Sequence, residues 1–208
     1  IATDGQGKTL NDIDHVITDI FGENSLRELL GFEGKVKRAE LFPAYELLEN
    51  FSTYQFGNGF LGDRKVMQVL TATGCDQKCS FCSSQQVYKP IPVDVVVSHL
   101  RRVLDLGCDG VFFNDPNFTN PSDINSQGSF GRVVELNKRL VEEEINQSLP
   151  YGIQTKATLV NPALLDVMYK GGLRYVCFAL ENVDQASLKN LRKGVTPERV
   201  KNAIGWCK

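Results

Sequence analysis

The sequence predicts an α/β protein that forms part of a (β/α) barrel with parallel strands. About 42% of the 208 residues are apolar and 23% are charged, which is the composition of a folded globular protein. From residue 65 onward, strand-like and helix-like segments alternate four times, and such alternation requires parallel strands with right-handed crossovers. Residues 65–208 are fewer than the roughly 200–250 residues of a full barrel, so we expect a barrel cut off after about four β/α units.

The predicted elements follow one another at short intervals. Short apolar runs predict four strands, which span residues 66–70, 110–114, 152–157 and 175–180. Apolar residues at helical spacing predict the helices, which span residues 93–106, 130–146, 162–169 and 185–191, with another that begins at 197. The region before residue 65 differs, because its periodicity is weak. There, residues 16–31 indicate a strand, a turn and a short helix, as at the tail of an α/β layer.

Charge and hydropathy exclude several classes of function. The chain has 23 basic and 25 acidic residues, a formal net charge of -2, so no global basic bias indicates nucleic acid or an anionic membrane as a partner. No apolar run approaches the roughly 18 residues of a transmembrane helix. The first residues lack the charged and apolar regions of a signal peptide. We therefore expect a cytoplasmic protein without a membrane partner.

Three of the six cysteines, Cys75, Cys79 and Cys82, form a C-x3-C-x2-C pattern directly after the first predicted strand. Such clustering predicts a metal centre in a reducing compartment. A closed zinc site takes four protein ligands, and so does an electron-carrying [4Fe-4S] cluster. Three thiolates would leave one iron open, as catalytic metal sites do for a substrate. The remaining cysteines are scattered, and we expect inert thiols at Cys108, Cys177 and Cys207.

This cysteine pattern, with the aromatic Phe81 just before its last cysteine, resembles the radical S-adenosylmethionine (SAM) superfamily. The resemblance covers roughly residues 65–208 and implies a partial radical SAM (β/α) barrel. It also implies that the three cysteines hold a [4Fe-4S] cluster whose open iron binds SAM. In that family the reduced cluster cleaves SAM to methionine and a 5'-deoxyadenosyl radical, which abstracts hydrogen from the substrate.

The same resemblance implies further contacts to SAM. Phe81 is expected to contact the adenine. Asp115 and Asn117 follow the second strand, where family members contact the amino group of SAM. Glu181 follows the fourth strand, where many members place an acidic residue near the ribose or the methionine part of SAM. The weaker candidates are Gln154, Lys156 and Lys193.

Residues 16–30 and 41–48 are similar to the junction between a cobalamin-binding, Rossmann-like domain and the barrel in cobalamin-dependent radical SAM proteins. The resemblance implies that residues 1–45 are the tail of a Rossmann-like domain, residues 46–64 a linker and residues 65–208 the radical SAM core. The cobalamin signature of those proteins lies upstream of this junction. Cobalamin is therefore implied for the complete protein and not for these residues.

The resemblance implies an iron–sulfur radical SAM enzyme of a cobalamin-dependent family that transfers methyl groups or rearranges its substrate. Its expected partners are a small-molecule substrate and a reductant such as flavodoxin or ferredoxin. Three alternatives stay open. The first is a non-catalytic iron–sulfur or zinc redox module. The others are a radical SAM enzyme similar to tRNA methylthiotransferases and a general α/β enzyme with an incidental cysteine cluster.

Overall fold

The computed structural model of the protein describes residues 64–208, apart from 84–86 and 125–129, together with residues 30, 31, 33 and 61. The helices and strands given below all lie in the unit Ala44–Lys208. The predicted Rossmann-like tail and linker lie almost wholly outside the described residues, so the three-part division of the chain stays a prediction.

The described part of the chain contains six strands and six α-helices. The strands are β1 (Val66–Val69), β2 (Ala72–Thr73), β3 (Lys89–Pro90), β4 (Gly110–Phe113), β5 (Tyr151–Thr155) and β6 (Leu173–Phe178). The helices are α1 (Val93–Asp105), α2 (Gly131–Glu142), α3 (Ile145–Ser148), α4 (Pro162–Lys170), α5 (Gln185–Asn190) and α6 (Pro197–Trp206). Two short 3-10 turns span Pro121–Asp123 and Ala157–Leu159. Within these residues no helix has the length and the apolar character that crossing a membrane requires.

Four strands form one parallel sheet in the order β1, β4, β5, β6, so the predicted parallel strands with helical connections are confirmed. Every residue of β4 is buried, as expected for a central strand with both faces covered. β6 pairs only with β5 in the described part of the chain, and most of its residues are half-buried. All four strands end at the same edge of the sheet, which is where parallel sheets bind their ligands.

The core lies between this sheet and the amphipathic helices. Helices α1 and α2 bury aliphatic stripes, with Val96, Val103 and Leu136 among their fully buried residues. The ring of Phe113 in β4 packs 5.3 Å from that of Phe118 and 4.9 Å from that of Tyr151. Burying a large aromatic side chain contributes about 2–3 kcal/mol to stability, so this triplet anchors the loop after β4 to the sheet.

Side-chain caps set where the later helices begin. Asn161 accepts from the backbone N–H of Leu164 at 2.8 Å at the start of α4. The carboxylate of Asp184 accepts from Ser187 at 2.7 Å at the start of α5. Caps of this kind contribute about 1 kcal/mol each. They let helices start within a few residues of the strand ends, which keeps the connecting loops short at the edge where ligands bind.

Two local predictions are wrong, and one pair of strands was not predicted. The helix predicted over residues 130–146 is two helices, because Glu144 has a left-handed backbone with φ of 57° while the apolar spacing continues through it. The strand predicted to reach residue 157 ends at Thr155, because the side chain of Asn117 takes the backbone N–H of Lys156 at 3.1 Å. The antiparallel pair β2–β3 was not expected, since two residues per strand are too few to show periodicity.

Candidate active site

The cysteine loop, residues 74–82, leaves the carboxyl edge of the sheet just after β2. Its start is fixed by the carboxylate of Asp115, which accepts hydrogen bonds from the backbone N–H groups of Thr71 at 2.7 Å and Ala72 at 3.0 Å. Gly74 then turns the chain with φ of 71°, a left-handed conformation that glycine adopts without strain. The loop is thereby aimed over the ends of the strands.

The loop forms hydrogen bonds to the segments that follow β4, β5 and β6. The partners lie in the 3-10 turn after β4, directly after β5 and at the end of α5, so the loop is tied across the edge of the sheet. The pairs are Asp76 with the N–H of Ser122 (3.3 Å), Gln77 with Lys156 (2.7 Å), and Ser80 with the carbonyls of Asn190 (3.2 Å) and Leu191 (3.0 Å). A loop held at several points loses little further conformational entropy when it binds a ligand.

The three motif cysteines line one cavity of about 180 Å³, here called the cysteine cavity. Its other wall comes from the ends of the neighbouring strands and from the loops that follow them. The residues that matter for its chemistry are Phe81, Asn117, Gln154, Lys156, Glu181 and Lys193. The predicted cysteines therefore face the predicted SAM contacts, with the exception of Asp115.

The three thiols are not in disulfides, and Cys79 is the most buried of the three. The N–H of Gln77 donates to the sulfur of Cys75 at 3.4 Å, and the N–H of Cys82 donates to the carbonyl of Cys79 at 3.2 Å. Burial raises the pKa of the Cys75 thiol, and the neighbouring thiols of Cys79 and Cys82 raise it further, whereas the N–H of Gln77 lowers it. The ionised thiols of Cys79 and Cys82 would therefore disfavour the ionisation of Cys75.

The donor set fits an iron–sulfur cluster better than a single ion. Among the residues that the structure describes, no three His, Cys, Asp or Glu side chains converge on one ion site. A structural zinc ion takes four converging ligands. In a [4Fe-4S] cluster each thiolate binds a different iron, so cysteines spaced along one cavity wall suit it. Three such cysteines would leave one iron open to the rest of the cavity.

Asn117 is part of the cavity wall and is held rigidly. Its amide oxygen accepts from the hydroxyl of Thr155 and from the N–H of Lys156, both at 3.1 Å. Its amide nitrogen donates to the carbonyl of Thr119 at 2.8 Å. Gln154, next along the wall, donates to the carbonyl of Asp115 at 3.0 Å. These bonds fix the spacing between the ends of β4 and β5.

Lys193 joins two of the predicted SAM contacts. Only 8% of the residue is exposed, and its ammonium pairs with the carboxylate of Glu181 at 2.8 Å. The same ammonium lies 5.5 Å from the centre of the Phe81 ring. Glu181 and Arg192, the residue directly before Lys193, have left-handed backbones with φ of 70° and 52°. Such strain costs about 1–3 kcal/mol per residue and concentrates at functional sites.

Lys156 is the second cation of the cavity. Its ammonium donates to the amide oxygen of Gln77 at 2.7 Å. Burial lowers its pKa below the ordinary lysine value, and the charge of Lys193 also lowers it, whereas the thiols of Cys79 and Cys75 raise it. The ammonium therefore lies within the electrostatic field of the motif cysteines.

Asp115 lies behind the cavity wall, in a cluster here called the buried network, and not among the lining residues. It is fully buried and also accepts from the hydroxyl of Thr71. That hydroxyl accepts from Arg132 at 2.9 Å, and Arg132 pairs with Asp123 at 3.0 Å. Tyr88 completes the network with a 2.7 Å hydrogen bond to Asp123. Burial raises the pKa of Asp115, although the hydrogen bonds from Thr71 and the charge of Arg132 lower it.

The structure thus brings Cys75, Cys79, Cys82, Phe81, Asn117 and Glu181 to one cavity. Asp115 is the one predicted site residue that it places elsewhere, as a support for the strand from which the loop starts. Gln77 was missed, because a glutamine between two cysteines carries no pattern of its own. The weak signal for Lys193 was its position after the fourth strand, before Gly194.

Comparison with known proteins places this site in context. The family model described as the radical SAM superfamily matches residues 69–208. Cytidylyl-2-hydroxyethylphosphonate methyltransferase of Streptomyces wedmorensis is 28% identical over 176 residues, which are 80% of this chain and 31% of that protein. An uncharacterized methyltransferase of Pyrococcus horikoshii is 25% identical over 145 residues, 67% of this chain and 29% of that protein. The chain therefore spans about a third of the length of these curated relatives.

Solved structures share the fold. The cobalamin-dependent SAM radical enzyme OxsB, with aqua-cobalamin and SAM bound, has a TM-score of 0.58 at 18% identity, over 70% of this chain and 22% of that one. The radical SAM methyltransferase TsrM from Kitasatospora setae, with tryptophan and a SAM analog bound, has a TM-score of 0.58 at 16% identity, over 68% and 28% of the two chains. At such identities the likeness shows the fold alone, and it confirms the partial barrel with parallel strands.

Proposed function

The chain belongs to the radical SAM superfamily, and from this premise we propose that Cys75, Cys79 and Cys82 hold a [4Fe-4S] cluster and that the cysteine cavity binds SAM. The observation that carries the proposal is the cavity itself, in which three cysteine thiols that form no disulfide face an aromatic ring and a carboxylate, those of Phe81 and Glu181. SAM offers an adenine for the ring and ammonium and hydroxyl groups for the carboxylate.

The chemistry supplied by the bound cluster and SAM is one-electron cleavage of SAM to methionine and a 5'-deoxyadenosyl radical, which takes hydrogen from the substrate. The residues of the chain would bind SAM and position it for this cleavage. The exposed ring of Phe81 offers a stacking surface for the adenine. Glu181, oriented by Lys193, accepts hydrogen bonds from SAM. Asn117 keeps the ends of β4 and β5, which form part of the cavity wall, at a fixed spacing.

We further infer that the whole protein transfers a methyl group to a small molecule with the help of cobalamin. Two curated relatives are methyltransferases, and the structures with the same fold include a cobalamin-dependent SAM radical enzyme. Cobalamin would be held outside the described residues, by the Rossmann-like domain whose tail the first 45 residues resemble. The one electron would come from a low-potential donor such as flavodoxin or ferredoxin, and a reducing cytoplasm would keep the thiols free.

The first experiment measures iron content and electron paramagnetic resonance after anaerobic reconstitution and dithionite reduction. The wild-type protein is expected to hold about four irons per chain and to give a reduced-cluster signal that changes when SAM is added. Replacing any one motif cysteine, as in Cys79→Ala, should abolish both, because a site with two thiolates retains the cluster poorly.

The matched control is Cys207→Ala, which removes an exposed thiol far along the chain from the motif and should keep the iron and the signal. Stoichiometric zinc without iron would contradict the proposal. A four-iron signal indifferent to SAM would favour a redox module. Production of S-adenosylhomocysteine together with 5'-deoxyadenosine by the wild type would support methyl transfer, and 5'-deoxyadenosine alone would favour rearrangement.

A further inference from the structure

We propose that Lys156 is a fixed positive charge that makes the cluster of the cysteine cavity easier to reduce. The inference rests on the proposed function, because it concerns the cluster that the three motif cysteines would hold. The role belongs to a residue outside the cysteine loop, whose charge interacts electrostatically with Cys79 and Cys75.

Two hydrogen bonds place this lysine. Its backbone N–H is held by the amide oxygen of Asn117 at 3.1 Å, directly after β5. Its ammonium is held by the amide oxygen of Gln77 at 2.7 Å. Gln77 lies between Cys75 and Cys79 in the loop, so the positive charge is pinned against the middle of the cysteine motif.

The turn at Gly194 lies against the ammonium on one side. A Cβ built on Gly194 would lie 3.1 Å from the ammonium nitrogen, so the backbone of this turn lies directly against it. Gly194 has φ of 59°, in the left-handed region, where a side chain is both strained and short of space. The ammonium of Lys156 is therefore confined between the amide of Gln77 and the turn at Gly194.

No carboxylate among the described lining residues pairs with the ammonium of Lys156. Its hydrogen-bond partner is a neutral amide. Among the described residues that line the cavity, the one carboxylate is that of Glu181, and it pairs with Lys193 at 2.8 Å. Lys193 and Glu181 together contribute almost no net charge, whereas Lys156 contributes a full positive charge.

The consequence follows from charge balance. A [4Fe-4S] core with three thiolates is negative, and the electron that it gains on reduction makes it more negative. A positive charge held nearby in a partly buried site stabilises the reduced form more than the oxidised form. Without Lys156, the reduced cluster would lose this stabilisation and the midpoint potential would fall.

The test is a redox titration of the reconstituted protein in the absence of SAM, followed by electron paramagnetic resonance. Lys156→Gln and Lys156→Met remove the charge and keep much of the side chain's length. At the wild-type midpoint potential we expect both to reduce the ratio of reduced to oxidised cluster about tenfold, which for one electron corresponds to about 59 mV. Lys156→Arg keeps the charge and should stay close to the wild type.

The matched control is Lys170→Gln, which removes the same charge from an exposed ion pair with Asp166 on α4 and should leave the potential unchanged. The proposal is overturned if the neutral variants titrate like this control, or if Lys156→Arg shifts as much as Lys156→Gln. It is also overturned if both neutral variants lose their iron, because Lys156 would then hold the loop. A wild-type protein without a reducible cluster would instead count against the proposed function.

Discussion

The cysteine cavity and the buried network lie on either side of the same loop start, and both are rich in polar groups. In the buried network, Asp115, Arg132 and Asp123 satisfy one another and the backbone around them. In the cavity, the thiols form no disulfide and half of Phe81 is exposed. This difference indicates that the buried network supports the fold and that the cavity binds a ligand, because polar groups that already satisfy one another have little capacity left for a ligand.

The buried network also helps the cavity to keep its shape. The three motif thiols would lose their common arrangement if the loop that carries them were mobile. The carboxylate of Asp115 fixes Thr71 and Ala72 on one side of that loop. Ser80 anchors its far end to Leu191. We therefore expect substitutions in the buried network to change stability and substitutions in the cavity to change ligand binding.

The largest expected loss of stability comes from Arg132→Met. The side chains of Arg132 and Asp123 are 10% and 3% exposed, and removing one partner of a buried ion pair costs about 3–5 kcal/mol. Thr71 would lose a donor as well. The measurement is the free energy of unfolding from urea titration followed by circular dichroism.

The control for this prediction is Arg139→Met on the same helix. Arg139 pairs with Asp94 and Glu143 at the surface, where solvent screens the charges, so its replacement should cost much less. If the two variants lose the same stability, the buried network does not support the fold as we argue.

Glu181→Gln should affect ligand binding more than stability. The amide oxygen of Gln can still accept from Lys193, and 37% of the Glu181 side chain is exposed, so the free energy of unfolding should change by less than about 1 kcal/mol. A lost charge-assisted hydrogen bond to SAM is expected to weaken SAM binding about tenfold. Calorimetry with SAM measures the effect, and Glu198→Gln, an exposed residue on α6, is the control. Unchanged affinity would remove Glu181 from the set of SAM contacts.

The sequence was sufficient to predict the parallel strands and the position of the motif cysteines at their carboxyl edge, and the reasons are physical. Buried strands of parallel sheets are continuous apolar runs, and β4 is such a run, with all four of its residues buried. The spacing of the cysteines is read directly from the sequence and does not depend on the conformation of the loop. The break at Glu144 was missed, because a single left-handed residue leaves the apolar spacing unchanged.

The side-chain contacts at the strand ends could not be predicted from the sequence. Sequence places Asp115 after β4, but it does not say which way the carboxylate points. The structure turns it toward Thr71, because the backbone N–H groups at the start of the loop need an acceptor and no strand provides one. Lys193 was a weak candidate, yet it is buried and pairs with Glu181 across a turn. Such contacts depend on backbone turns that the sequence alone does not specify.

The smallest expected change in stability is that of Phe81→Leu, and it tests the adenine contact directly. The ring is 51% exposed and stacks against the Lys193 ammonium at 5.5 Å, an arrangement that contributes about 0.5–1 kcal/mol at exposed sites. Tyr169→Leu is the matched control, since Tyr169 is an exposed aromatic with Arg174 at 4.4 Å and lies outside the cavity.

The two variants should therefore unfold with similar free energies, and only Phe81→Leu should weaken the binding of SAM. Stacking on a ring contributes about 0.5–1.5 kcal/mol beyond the area it buries, so a loss of severalfold in affinity is expected. Methionine, which lacks the adenine, should bind Phe81→Leu as tightly as the wild type. If methionine and SAM lose affinity equally, Phe81 acts by shaping the loop around Cys82, and the adenine must find its surface elsewhere in the cavity.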